Sequence, residues 1–134
     1  MRPSVSHMEI VAGLFIDNVN FRKDPAGPTK IDITGAYFST AIESYPATLD
    51  PHLLVLLRAE NEAGRSGTVD VKFVRRDTGE EVGRHRQPQT IAPPGQFFYQ
   101  LVKPTLTFDA PGTIDAVCEI PETGSVVIVP LTAL

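Results

Sequence analysis

Three histidines, one cysteine and a scatter of carboxylates are the groups in this chain that could do chemistry. A zinc site needs His, Cys or carboxylate ligands at recognisable spacing. None of His7, His52 and His85 has such a neighbour. They read as solvated side chains, His7 in an N-terminal extension, His52 in a loop and His85 in a polar strand. A nucleophilic cysteine needs a base and an activating environment. The sequence neighbours of Cys118 are Val117 and Glu119, and alternation places it on an apolar strand face, so core packing is expected. The serines lie in no nucleophile elbow. Gly13, Gly35 and the Gly64-Arg65-Ser66-Gly67 run lack the spacing of a phosphate-cradling loop, and the run reads as a hairpin tip. Asp17, Asp24, Asp50 and Asp109 occupy loops, where calcium would need several oxygens gathered together. They stand singly, and turn formation accounts for them. No catalytic, metal or cofactor-binding residue is therefore expected.

Two constellations point to binding instead. Arg75, Arg76, Arg84 and Arg86, with Lys72 and His85, fall on the two arms of one hairpin. A cross-strand ladder brings such arms within ~5 Å, enough for a small anion-binding face. The same charges would also guard an exposed hairpin against edge-to-edge aggregation, partly neutralised by Asp77, Glu80 and Glu81. The second constellation is aromatic: Tyr37 and Phe38, and the run Phe97, Phe98 and Tyr99. Adjacent residues of a strand face opposite sides, so one ring of each pair is core and the other is covered by loops or free for a partner. Outward rings on paired strands would form an apolar patch of the kind used in association.

These residues must be positioned by strands. Alternation with period two recurs in Ile31–Phe38, Thr68–Phe73 and Thr113–Ile120. Further strands are expected at Glu9–Ile16, at Gln96–Lys103 with an extension to Phe108, at Ser125–Leu131 and more weakly at Glu80–Gln87. Asp77-Thr78-Gly79-Glu80 and Pro121-Glu122-Thr123-Gly124 read as tight turns with a positive-φ glycine, and Asp24–Pro28 and Pro93-Pro94-Gly95 as breaks. The Asp50–Gly64 segment has helix punctuation, an Asp cap, a first-turn Pro and a terminal Gly. Its run Leu53–Leu57, however, has no polar face, which suits a strand buried on both sides. We read a strand there, because everything around it is β.

The expected architecture is one antiparallel, immunoglobulin-like β-sandwich of seven to nine strands over residues 8–134, after a flexible extension at 1–7. The chain resembles a family of small bacterial all-β domains of unknown function. The resemblance rests on Phe15-Ile16-Asp17, Ile33-Thr34-Gly35-Ala36-Tyr37, Tyr45-Pro46 before the apolar run, and Asp77-Thr78-Gly79-Glu80-Glu81-Val82. It implies a fold and no catalytic residues, with Tyr45-Pro46 as a structural corner.

Composition sets outer limits. With 134 residues there is room for one core, and 42% hydrophobic with 21% charged residues suits a soluble globular domain. A net charge of −4 provides no overall basic field, so nucleic acid is not expected as a partner. A single cysteine allows no internal disulfide. No apolar stretch is long enough for a membrane span, and a cytoplasmic bacterial protein is the default expectation. The functional expectation is a non-enzymatic binding or assembly module that engages a protein partner or a second copy as a homodimer. The alternatives are an anion or small-ligand carrier using the arginine hairpin, and an enzyme whose site is gathered from distant loops.

Overall fold

The computed structural model describes residues 8–23, 25, 30–59, 65–92 and 95–134. Several sequence expectations therefore lie outside the described residues: the extension at 1–7 with His7, Asp24 and most of its loop, residues 60–64 and Pro93-Pro94.

The described chain is all-β and mainly antiparallel. Its strand segments are β1 (Glu9–Ile16), β2 (Asn18–Arg22), β3 (Lys30–Thr34), β4 (Ser39–Thr40), β5 (Ala47–Leu49) and β6 (His52–Arg58). They continue with β7 (Ser66–Arg75), β8 (Glu81–Thr90), β9 (Phe97–Val102), β10 (Leu106–Phe108), β11 (Gly112–Ile120) and β12 (Ser125–Ala133). One sheet has the order β1-β6-β9 and a larger one β4-β12-β11-β7-β8; β2-β3 and β10-β5 form separate pairs. Only β4 with β12 is parallel. The pieces not anticipated from sequence are the short β2, β4 and β5; the sequence predicts β10 only as an extension of the strand from Gln96.

Alternation decides which side chains are buried. On β11, Ile114, Ala116, Cys118 and Ile120 point inward, and on β7 Val69, Val71 and Phe73 do. The smaller sheet supplies Phe15 from β1 and Leu53, Val55 and Leu57 from β6 to the same cluster. The two sheets thus share one core. At Gly13 the sheets approach closely: a Cβ there would lie 2.6 Å from Cγ2 of Val129, so only glycine fits without displacement.

The Leu53–Leu57 run is a strand, and its lack of a polar face has a structural cause. Leu54, on the face away from the shared core, is 1% exposed. That outer face also carries Leu56 and, by register, Tyr99 and Leu101 of β9. The β2–β3 hairpin aligns Val19 with Ile33 and Phe21 with Ile31, and the Phe21 ring stacks on Tyr99 at 4.3 Å. The hairpin therefore turns its apolar side toward that face.

Two expected strands end early. The strand at Ile31–Phe38 stops at Thr34, because Gly35 adopts φ +66 and Tyr37 then makes only an isolated bridge to Phe15. The side chain of Asp17 occupies the space a Cβ at Gly35 would need. The strand from Gln96 does not run on to Phe108: β9 ends at Val102, and β10 pairs with β5 instead. Pro104, which cannot donate to a ladder, lies between them. His52 opens β6 and is not in a loop, and Ser66 and Gly67 belong to β7, not to a hairpin tip. Gly79 and Gly124 take the positive φ their turns require, and the Tyr45–Pro46 bond is cis. No helix among the described residues is long and apolar enough to cross a membrane.

Candidate functional site: the β8–β9 side

The two sheets have two lateral sides, built differently. On the first, residues 37–40 cross from one sheet to the other and bond to both. The Tyr37 amide donates to the Phe15 carbonyl at 2.9 Å, the Thr132 amide to Phe38 at 2.8 Å and the Leu134 amide to Thr40 at 3.0 Å. Backbone hydrogen bonds close this side. Tyr37 is half-buried, its ring centroid 6.5 Å from that of Phe15, while Phe38 is exposed.

On the second side the edge strands β8 and β9 face each other without pairing. Register places His85, Gln87 and Gln89 of β8 opposite Val71, Val69 and Gly67, on the inward phase. Gln100 of β9 reaches them. Its Oε1 accepts from Gln89, and its Nε2 donates to Gln87 Oε1 at 3.2 Å and contacts His85 Nε2 at 3.3 Å. Gln89 and Gln100 are buried, so these amides satisfy one another where water is largely excluded. Among the described residues, side chains bridge β8 and β9.

That construction leaves the outer edge of β9 unpaired among the described residues. The Ala59 amide donates to the Gln96 carbonyl at 2.9 Å. Alternation from that bond makes Phe98, Gln100 and Val102 the residues bonded to β6. The N–H and C=O groups of Phe97, Tyr99 and Leu101 then point away from the sheet. Around this edge Phe97 is 63% exposed and Phe98 and Phe21 40% each. The Phe98 and Tyr99 ring centroids lie 5.0 Å apart and Phe21 stacks on Tyr99, so three rings gather at this edge, with Phe97 next along the strand.

The other long edges are guarded. β8 carries Arg84, Arg86 and Pro88 on one phase. Pro88, having no N–H, fits only where its nitrogen faces away from β7. Pro130 does the same on β12, and β1 is bulged at Val11, between Ile10 and Ala12. Bulges, charges and prolines are the usual means of stopping strand addition. The β9 segment Phe97–Val102 has none of them.

The arginine constellation does not form one free cationic face. Arg84 makes a bidentate pair with Asp70 at 2.7 and 3.1 Å, and Arg76 one with Asp115 at 2.7 and 2.9 Å. Arg75 turns to Glu80 and to the Thr107 carbonyl. His85 goes inward because it is out of phase with Arg84 and Arg86. Arg86 has no ion pair among the described residues, but it adds to the pull that Arg84 exerts in lowering the Asp70 pKa. Glu122 is lowered mainly by the Thr68 amide bonded to it at 3.0 Å.

The aromatic constellation is also rearranged. Tyr37 and Phe38 do not share a patch with Phe97–Tyr99: Tyr37 bonds to β1 at one edge of the small sheet and Phe38 to β12 of the larger one, while Phe97–Tyr99 form the small sheet's opposite edge. Tyr99 is not free, since Phe21 stacks on it. Phe21 itself was not singled out by sequence; the available signal was the alternation of Val19 and Phe21 in a short polar stretch.

Cys118 is fully buried, and burial pushes its thiol up to about 12. No three His, Cys, Asp or Glu side chains gather as a metal site among the described residues. Asp17 and Asp50 line one open cleft of about 350 Å³, while Asp109 lines another beside Arg75. Comparison with known proteins finds no matching family model, no matching curated protein and no matching solved structure.

Proposed function

We propose that this chain is a non-enzymatic protein-binding or assembly module, an immunoglobulin-like β-sandwich that engages its partner through the β9 edge. The sheet orders support the sandwich reading. β1-β6-β9 follows the A-B-E order of an immunoglobulin sheet, and β12-β11-β7-β8 the G-F-C-C′ order of its partner sheet. The likeness to small bacterial all-β domains of unknown function belongs to this proposal at the level of fold alone.

The observation that carries the binding reading is the contrast among edges. β9 combines outward backbone donors and acceptors, three partly exposed phenylalanines and no guarding residue. Such an edge accepts an added strand: main-chain bonds supply affinity and flanking side chains supply selectivity. The arginine face is less suited to an anion, because carboxylates already hold Arg75, Arg76 and Arg84.

A photoreactive phenylalanine analogue tests this in the cells that make the protein. Placed at Phe97, it should give a discrete protein adduct; placed at Thr78, in the β7–β8 turn, it should not. Equal labelling at both positions, or none at Phe97, would contradict the proposal.

A further inference from the structure

We infer that the occupant of the β9 edge is β9 of a second copy, running antiparallel about a two-fold axis at Tyr99. This inference rests on the binding reading above and specifies its partner.

The β9 edge is self-complementary. The outward backbone groups belong to Phe97, Tyr99 and Leu101. Antiparallel pairing centred on Tyr99 sets Phe97 against Leu101 of the other copy, Tyr99 against its own mate, and Leu101 against Phe97. Each is then a hydrogen-bonded pair, so every outward N–H and C=O of the three residues finds a partner. Period-two alternation gives Phe97, Tyr99 and Leu101 one common face, the face that holds Leu54 and Leu56 within the protomer. The new cross-strand neighbours are aromatic against aliphatic and aromatic against aromatic, the pairings that stabilise antiparallel ladders.

Charge favours the same occupant. Phe-Phe-Tyr-Gln-Leu-Val contains no ionisable group except the Tyr99 phenol. Two copies therefore meet without like charges opposed, although each chain carries a net charge of −4. The guarded edge of β8 is excluded as the mate. Its Pro88 removes a donor, and its Arg84 and Arg86 would bring charge against the rings.

Area sets the strength. The exposed parts of Phe97, Phe98 and Phe21 amount to at most roughly 300 Å² per copy, taking about 200 Å² for a whole ring side chain and counting Phe98 although it lies on the other face of β9. That is about half of what a small specific interface buries on each partner, so the backbone ladder must supply the rest and the dimer is a weak one.

Register-specific trapping in the purified full chain tests the inference. In this pairing the two Tyr99 Cα atoms sit ~5.5 Å apart, inside the range a disulfide spans. The two Phe97 Cα atoms are four residues out of register, about 13 Å apart. Under mild oxidation Tyr99→Cys should give at least about tenfold more interchain disulfide than Phe97→Cys. Cys118 is buried and leaves the background low. Leu101→Pro, which deletes one outward N–H and no bond to β6, should shift wild-type dimer to monomer in sedimentation while its circular dichroism stays β. Equal trapping at both positions, preferential trapping at Phe97, or a wild-type monomer at every concentration would overturn the inference. A Phe97 photo-adduct with a different protein, with no trapping at Tyr99, would overturn self-pairing and leave the binding reading standing.

Discussion

The two lateral sides of this molecule solve one problem in opposite ways. Where β1 meets β12, residues 37–40 bond to both sheets through the main chain. Where β8 meets β9, the sheets are bridged by Gln87, Gln89, Gln100 and His85. A side closed by backbone uses up its edge donors and acceptors. A side closed by amide side chains reaching inward leaves the strand edge itself unused. The glutamine bridge thus leaves the β9 edge available while the buried amides of Gln89 and Gln100 satisfy each other behind it.

The largest test of that contrast is a matched pair of truncations. Phe15→Ala empties a fully buried site beside the backbone-closed side and should cost about 3–5 kcal/mol of unfolding free energy. Phe97→Ala, at the open edge, should stay within about 0.5 kcal/mol. Urea denaturation measures both, and a large loss at Phe97 would mean that this ring is structural. Gln100→Ala comes next. It strands the buried amide of Gln89, while the exposed Gln87 can turn to water, and should cost about 1–3 kcal/mol. Gln100→Glu, by contrast, keeps the volume and the acceptor but loses the two donated bonds. If Gln100→Ala is neutral, the side-chain bridge is not what holds β8 and β9 together.

Gly35→Ala probes the opposite side. A side chain at φ +66 is strained, and here it also displaces Asp17, so roughly 1–2 kcal/mol should be lost. The exchange protection of the Tyr37 amide should fall with it. The smallest effect is acid sensitivity. The Arg84 guanidinium holds Asp70 below the ordinary carboxylate range, so its folded pKa lies under its unfolded one. That contribution is fully present above the unfolded value of ~3.9 and is lost as pH falls through the lowered folded value. Asp70→Asn should therefore flatten the acid limb of stability against pH below about 4. An unchanged limb would show that the pair contributes nothing measurable.

Much of the scaffold was legible in sequence because half-buried strands advertise their phase. Val69, Val71 and Phe73, and Ile114, Ala116, Cys118 and Ile120, recur with period two and face the core as alternation requires. The Leu53–Leu57 run was legible as a strand only through its neighbours. Its unbroken apolarity reflects a covering hairpin whose short strands leave little periodic signal. The candidate site was legible in part. Phe97 and Phe98 stood out, but Phe21 reaches Tyr99 across 78 residues of chain, and no local pattern announces that contact. The glutamine bridge left no signal in sequence, since glutamine is a type usually exposed, and only Gln89 and Gln100 are buried. Counting inward from the Gly79 turn would have put Gln87 and Gln89 in phase with Val71 and Val69, had the register shift at Phe73/Val74 been known. The pairing of the arginines was legible only in part: Glu80 and Asp70 lie on the hairpin itself, but spacing along two arms does not show that Asp115 of β11 takes Arg76.

Residue-resolved amide exchange along β9 in dilute protein tests the account most directly. It predicts slow exchange at Phe98, Gln100 and Val102, whose amides bond β6, and fast exchange at Phe97, Tyr99 and Leu101, with protection growing at the fast sites as concentration rises. Uniform protection of all six amides in the monomer would mean that the edge is already covered, and the account would be wrong.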